Sequence, residues 1–301
     1  MLWGIDLGGT KIEGVILKSV EDPEVIVRMR VPTEQPKGYD HILNQINKLI
    51  GMMEKESDKR AERIGIGTPG TLDPQTKLLK NSNTTCFNGQ PFKADLEKVI
   101  EMPIVMANDA NCFALAEAKM GAVKSHNIDA AVVFGVIMGT GVGGGLVING
   151  KVVNGKNGIG GEWGHNFLDE SGGPCYCGKV GCVETVISGP FTQKYYTSIS
   201  GQKKGLKEIV DLHKSGKDNN ATLTINRLTH FFGKAISVVI DIVDPDVVVI
   251  GGGVGNIDYL YTDGVKSASK FVFNDRLDTV FLKPELGDSA GVFGAAMLVA
   301  D

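Results

Sequence analysis

Between residues 161 and 184 the chain carries Gly161-Glu162-Trp163-Gly164-His165, then Cys175, Cys177 and Cys182, then Glu184. Three thiols at Cys-x-Cys-x4-Cys spacing, with a histidine upstream, form the four-ligand tetrahedral set that structural Zn2+ prefers. Gly178 and Gly181 let the chain turn tightly inside that set. Two readings fit. One is a knuckle that only holds a loop; the other is a metal-stapled loop that aims Glu162, His165 and Glu184 at a polyhydroxylated ligand. The second accounts for the two bracketing carboxylates, which stapling alone does not require.

Glycine, 40 of 301 residues, clusters after apolar strands. A strand over residues 2–7 turns at Gly8-Gly9-Thr10 and returns from Lys11 over 11–17. A second over 130–138 turns at Gly139-Thr140-Gly141 and returns over 143–148, before the tight Asn149-Gly150 turn. A third over 247–250 runs into Gly251-Gly252-Gly253. Such turns let backbone N–H groups approach phosphate oxygens with no Cβ in the way. Hairpins use glycine for purely structural reasons too, so each turn alone is weak evidence. No Gly-x4-Gly-Lys-Ser/Thr loop is present, and the first two turns open into strands, which excludes the dinucleotide fingerprint. Those two turns resemble each other, which predicts two related halves, each presenting a hairpin to a shared cleft. Thr10 and Thr140 are placed to add hydroxyl hydrogen bonds to phosphate.

Asn108-Asp109-Ala110-Asn111 follows an expected strand over 104–107. Strand ends are where α/β folds place functional groups. Asp109 is there either to cap the next helix or to accept a proton from an attacking hydroxyl, as aspartates do in phosphoryl transferases. Asp6 precedes the first turn; a carboxylate there repels phosphate unless Mg2+ intervenes. Its plain alternative is a turn residue.

The elements that must hold these groups alternate. Apolar spacing predicts helices over 41–55, 94–101, 112–120 and 221–243, the last stopped by Asp244-Pro245. A strand over 63–67 ends at Thr68-Pro69-Gly70, residues 72–92 read as loop, and Ser289 is expected to cap a final helix through 299. Alternation of this kind predicts an α/β chain with mixed sheets. The duplication places one lobe at 1–120, completed by 289–301, and a second at 121–288. Charged residues make up 22% with net charge −4, which gives no basic footprint for nucleic acid or anionic membrane. The first residues lack a signal-peptide pattern and no apolar run is long enough to span a bilayer. Five cysteines, three in the cluster, fit a reducing cytoplasm, with Cys86 and Cys112 unpaired.

Asp6-Leu-Gly-Gly-Thr-Lys11, Asn108-Asp-Ala-Asn111, Gly139-Thr-Gly141, Glu162-Trp-Gly-His165 and Cys175-x-Cys-Gly-x2-Gly-Cys-x-Glu184 together resemble the ROK family of repressors, open reading frames and kinases. The resemblance implies the actin-like, ribonuclease-H-like ATPase fold, two lobes around a central cleft. It implies ATP with Mg2+ held by Asp6, Gly8, Gly9, Thr10, Lys11, Gly139, Thr140 and Gly141, with Gly251, Gly252, Gly253 and Val254 on the adenosine side. Asp109 would be the base, and Asn108, Glu162, His165 and Glu184 would bind a hexose. Zn2+ would sit on His165, Cys175, Cys177 and Cys182, and a homodimer is expected. The family also contains sugar-responsive regulators with an N-terminal helix-turn-helix, for which the first turn at residue 6 leaves no room; a non-catalytic sugar sensor is the competing class. Asn81-Ser-Asn83, Phe87-Asn-Gly-Gln-Pro-Phe92, Glu162-Trp-Gly-His-Asn166 and Cys175-Tyr-Cys-Gly-Lys179 look most like the family's fructokinases, while Asn111-Cys-Phe-Ala-Leu115 and the turn from Gly139 to Gly145 look equally like its N-acetylglucosamine kinases. The first set lies where the sugar is read, so phosphorylation of the 6-hydroxyl of fructose or mannose is expected. Asn81, Asn83 and Asn88 offer amides to sugar hydroxyls, and Phe87 and Phe92 either crowd an N-acetyl group or belong to the core. N-acetylglucosamine and glucose are the alternatives.

Overall fold

The computed structural model describes residues 1–300. The chain opens with strands β1 (Leu2–Leu7) and β2 (Lys11–Leu17), then β3 (Val25–Pro32). Helix α1 (Tyr39–Ser57) buries Ile42, Leu43, Ile46, Leu49, Ile50 and Met53 along one stripe, the 3.6-residue pattern of a core-facing helix. Strand β4 (Ile64–Thr68), the short pair β5 (Thr71–Leu72) and β6 (Leu79–Lys80), α2 (Phe92–Ile100) and β7 (Ile104–Asn108) follow. Then come α3 (Asp109–Lys119), α4 (Ala122–Ser125), β8 (Val132–Met138), β9 (Val142–Ile148) and β10 (Lys151–Val152). Four helices succeed the knuckle: α5 (Val183–Ile187), α6 (Gly189–Ser200), α7 (Leu206–Lys214) and the long α8 (Asn219–Val243). The chain closes with β11 (Val247–Gly251), α9 (Gly252–Gly255), α10 (Asp263–Ala268), β12 (Val280–Leu282) and α11 (Ala290–Met297).

Two five-stranded sheets share one plan. The first runs β3-β2-β1-β4-β7, antiparallel between β3, β2 and β1 and parallel from β1 through β4 to β7. The second runs β10-β9-β8-β11-β12, antiparallel at β10/β9 and parallel from β8 through β11 to β12. A glycine-rich turn links β1 to β2 and β8 to β9 at matching places in the two sheets.

The chain divides into two compact units. One comprises Met1–Asp129, Gly145–Gly161 and the segment from Glu285 onward; the other comprises Ala130–Gly144 and Glu162–Pro284. The partition differs from the one read from the duplication, which assigned all of 121–288 to a second lobe. Strand β9 changes unit between Gly144 and Gly145 because its second half is bound to α3. A Cβ on Gly145 would stand 2.3 Å from the Ala110 carbonyl. The Leu146 N–H donates to Asn111 Oδ1 at 3.2 Å.

In the first unit, Trp3, Ile5, Ile12, Ile46, Leu49, Phe87 and Phe92 belong to one buried cluster. Helix α11 lies on β1 and β4. A Cβ on Gly65 would fall 1.8 Å from the Ala295 carbonyl, so only glycine admits the helix at that distance. The start of α3 and the cap bond of α11 differ from the sequence reading, although α11 starts directly after Ser289 as expected. Asn108 Oδ1 accepts from Asn111 N at 2.8 Å and caps α3, so that helix begins at Asp109 rather than residue 112. Ser289 does not cap α11; its hydroxyl instead accepts from the Arg28 guanidinium. In the second unit, Asp218 caps the 25-residue α8 by accepting from Asn220 N and Ala221 N. No described helix is long and apolar enough to cross a membrane.

Candidate active site

Because Asn108 supplies the cap, Asp109 is left for chemistry. It is the first residue of α3, and its Oδ1 accepts the Ala110 N–H at 2.8 Å. The residue as a whole is exposed, yet protein surrounds its carboxyl closely. Desolvation raises its pKa above the ordinary aspartate range, against the backbone N–H groups of Ala110 and Asp109 itself. A raised pKa makes a better proton acceptor at neutral pH. Asn108 is buried, with its oxygen spent on the cap.

Asp6, on β1, has no hydrogen-bond donor among the described residues. Its pKa is pushed up to about 6, first by burial, then by the charges of Asp109 and Glu13, with Lys11 opposing. An unpartnered carboxylate beside the first glycine turn is the donor a divalent cation takes. The turn itself is braced: Gly8 N donates to Lys11 O, Thr33 N to Thr10 O, and Thr33 Oγ1 to Gly8 O at 2.6 Å. Lys11 Nζ lies 3.6 Å from Glu13.

The Asp6 environment carries a stability consequence. Its folded pKa of about 6 exceeds the ordinary 3.8, so the folded chain holds this proton more tightly than the unfolded one. Stability from that proton is present below pH 4 and is lost as pH rises through 6. Asp6→Asn should therefore stabilise the nucleotide-free protein at pH 8 by about 1–3 kcal/mol, and by nothing near pH 3. Denaturant midpoints at the two pH values measure this; an equal effect at both would contradict it. MgATP binding should be lost in the same variant.

In the second unit, Gly139 N donates to Gly141 O, and Gly139 O accepts from Gly189 N at the start of α6, both at 2.9 Å. Neither Gly139 nor Gly253 has a left-handed φ, and nothing lies within 4 Å of a Cβ built on either. Packing does not demand glycine there. A phosphate or nucleotide resting on the backbone would. Gly252 differs: its φ is +81° and a Cβ would meet the Met138 carbonyl at 2.3 Å. Tyr261 shares its hydroxyl proton between the Ile250 and Gly255 carbonyls, fixing the third turn. The Val254 side chain is buried, so only its backbone is available.

The Glu162–His165 segment is fastened to β9. Trp163 Nε1 donates to Gly143 O at 3.0 Å, and a Cβ on Gly164 would stand 1.9 Å from the Val142 carbonyl. Glu162 is half-buried at the start of this anchor. His165 Nδ1 lies 3.6 Å from Cys175 Sγ, Cys177 and Cys182 Sγ are 3.6 Å apart, and all four ligand atoms lie within 4.8 Å of one another. Ligands about 2.3 Å from a tetrahedral Zn2+ stand at such mutual distances. Burial pushes the Cys182 thiol up to about 12 and raises Cys175, while the Lys179 backbone N–H lowers Cys177; a cation among them would favour the joint thiolate form. His165 Nε2 meets the Tyr176 hydroxyl at 3.0 Å, leaving Nδ1 as the metal-facing nitrogen. Glu184, on α5, accepts the Val142 N–H at 3.0 Å through Oε2. One of its oxygens therefore braces the second glycine turn, a role the sequence did not suggest.

Three loop residues expected near a sugar are occupied by the fold. Phe87 and Phe92 are 1% and 0% exposed and pack edge to face at 5.3 Å. The Asn88 amide holds both the N–H and the carbonyl of Ser82 at 2.9 Å. Asn83 is exposed on that loop with its amide uncommitted to any described residue. Tyr176 and Arg227 were not singled out from sequence; flanking by Cys175 and Cys177 was the available signal for the first, and none existed for the second.

Acids at β1 and β7, glycine turns between paired strands and a Cys3His knuckle define an α/β protein of the actin-like ATPase fold. The ROK family profile matches residues 2–301. The N-acetyl-D-glucosamine kinase of Histophilus somni is 33% identical over 311 residues, covering 99% of this chain and 98% of that protein. The ROK hexokinase of Thermus thermophilus superposes with TM-score 0.86 at 29% identity, covering 99% and 97% of the two chains. A ROK glucokinase from Streptomyces griseus, solved with glucose and AMPPNP, gives TM-score 0.75 at 26% identity over 99% and 98%. The chain belongs to the ROK family, among its sugar kinases.

Proposed function

We propose that this chain transfers the γ-phosphoryl group of ATP to the 6-hydroxyl of a hexose, with N-acetyl-D-glucosamine the leading sugar. The observation that carries the kinase reading is Asp109, released from capping by Asn108 and held with a raised pKa at the end of β7. In this reading Asp109 takes the proton of the attacking hydroxyl as that oxygen bonds to phosphorus, and ADP leaves. Backbone N–H groups of the glycine turns hold the phosphates, and Glu162 with the unspent oxygen of Glu184 accepts sugar hydroxyls. Mg2+ near Asp6 supplies charge neutralisation when bound. Zn2+ on His165, Cys175, Cys177 and Cys182 holds the knuckle in shape.

The choice of sugar draws on the relatives, which include N-acetyl-D-glucosamine kinases 33% and 34% identical over 99% of the chain. Of the residues behind the fructose expectation, Phe87 and Phe92 fill the core and Asn88 is spent on Ser82, so the argument against an N-acetyl group loses its support. ADP release with N-acetylglucosamine, glucose, mannose and fructose at saturating MgATP tests the reading. N-acetylglucosamine should lead in kcat/KM by about tenfold, a difference of roughly 1.4 kcal/mol at the transition state. A fructose lead of that size would overturn the sugar and keep the kinase. No turnover with any sugar would favour the non-catalytic sensor.

A further inference from the structure

Arg227, near the middle of α8, is a half-buried cation with no carboxylate at ion-pair distance among the described residues. Its Nη1 donates to the Val186 carbonyl at 3.0 Å and its Nη2 to Ser171 Oγ at 2.8 Å. The guanidinium carbon stands 4.6 Å from the Tyr195 ring centre and 4.7 Å from that of Phe231. Two aromatic faces, the Val186 carbonyl and the more distant charge of Asp169 thus offset the loss of solvent. Burying a cation is costly, so this one needs an explanation.

The explanation lies in what it grips. Helix α5 has five residues, too few to hold itself together. Val186 belongs to its last turn, and Glu184, in the same turn, accepts the Val142 N–H at 3.0 Å just beyond the Gly139-Thr140-Gly141 turn. A Cβ on Gly141 would meet Glu184 Oε2 at 2.5 Å, so turn and carboxylate are in close register. The connection runs from Arg227 through the α5 backbone and Glu184 to the β8–β9 turn. Ser171 adds a second hold on the 3-10 turn between His165 and Cys175.

We propose that Arg227 is a positioning residue, fixing α5 so that Glu184 sets the geometry of the second glycine turn. The structural claim stands alone; its kinetic consequence rests on the kinase reading above.

Hydrogen–deuterium exchange over residues 139–144, with steady-state kinetics, tests it in the full chain. Arg227→Met preserves packing between the rings and removes both bonds; the one to Val186 O, which alone holds α5, is charge-assisted and contributes roughly tenfold to a hundredfold. Exchange at the Val142 amide should speed up about tenfold or more, and kcat/KM should fall by a similar factor. Arg227→Lys keeps the charge but lacks the fork that spans Val186 O and Ser171 Oγ, and should rescue little. Ser171→Ala, which leaves the α5 contact, should exchange nearly as wild type. In a Glu184→Ala background, where the Val142 N–H has lost its acceptor, Arg227→Met should add almost nothing, because both act along one path. Unchanged Val142 exchange in a folded Arg227→Met protein, or fully additive losses, would overturn the proposal. If Arg227→Met does not fold, Arg227→Lys carries the same comparison. A wild type inactive on every sugar overturns the kinase reading instead, and the exchange result still decides Arg227.

Discussion

Replacing Asp109 by Asn lowers kcat by about 10²–10⁴-fold, the usual worth of a general base, while MgATP binding stays nearly intact. The amide keeps the shape and the contact with Ala110 N but cannot take a proton. Folding should change little, because two effects oppose. The carboxylate is favourable at the start of α3, yet burial already penalises its charge. Single-turnover measurement of phosphoryl transfer, alongside nucleotide titration, separates the two steps. Near-normal turnover in the variant removes Asp109 from the role. In the wild type, protonating Asp109 abolishes its capacity as base, so activity falls as pH drops. The fall begins above the ordinary aspartate range, and Asp6, with a pKa of about 6, acts in the same direction.

The knuckle gives the second large effect. Purified protein should carry about one Zn2+ per chain, and Cys182→Ser should lose it, since structural zinc sites bind with roughly 10–16 kcal/mol and depend on every thiolate. Cys182 is fully buried, and the α5 helix bearing Glu184 begins at the next residue. Losing the metal therefore reaches both the His165 strap and the β8–β9 turn. A fall in kcat/KM of at least about a hundredfold should follow, as expected when a site loses its supporting geometry. Cys86→Ser, outside the cluster, should change neither zinc content nor rate. Active enzyme without zinc by metal analysis would remove the knuckle from the argument.

Much of this was legible beforehand. The hairpins at Gly8 and Gly139 announced themselves because buried strands end in glycine, and α1 and α8 because their apolar stripes are long. The Cys3His set was readable because its spacing has few other uses. What escaped had physical reasons. Val183-Glu-Thr-Val-Ile187 is β-branched and short, so nothing local marks it as helix; tertiary anchors impose α5. The Asn108 cap could not be told from an Asp109 cap, since both side chains suit the position. Phe87 and Phe92 suit cleft or core equally from a loop-rich stretch of sequence; Tyr39 and each other's rings settle them in the core. Glu184 was read as a ligand alone because its bond to Val142 spans 42 residues of sequence.

Helix α11 covers β1 and β4, yet it is the last of these elements to leave the ribosome. The first sheet is complete once β7 has emerged, but the hollow shaped by Gly65 and by Gly4, where a Cβ would meet Ala296 N at 2.3 Å, stays open while roughly 180 further residues are made. At cellular synthesis rates that interval lasts roughly ten seconds to half a minute. Glu162–Pro284, a continuous stretch of the other unit, emerges whole during the wait. The nascent chain therefore carries an unroofed apolar face beside a segment already free to fold, the condition under which a chaperone finds its substrate.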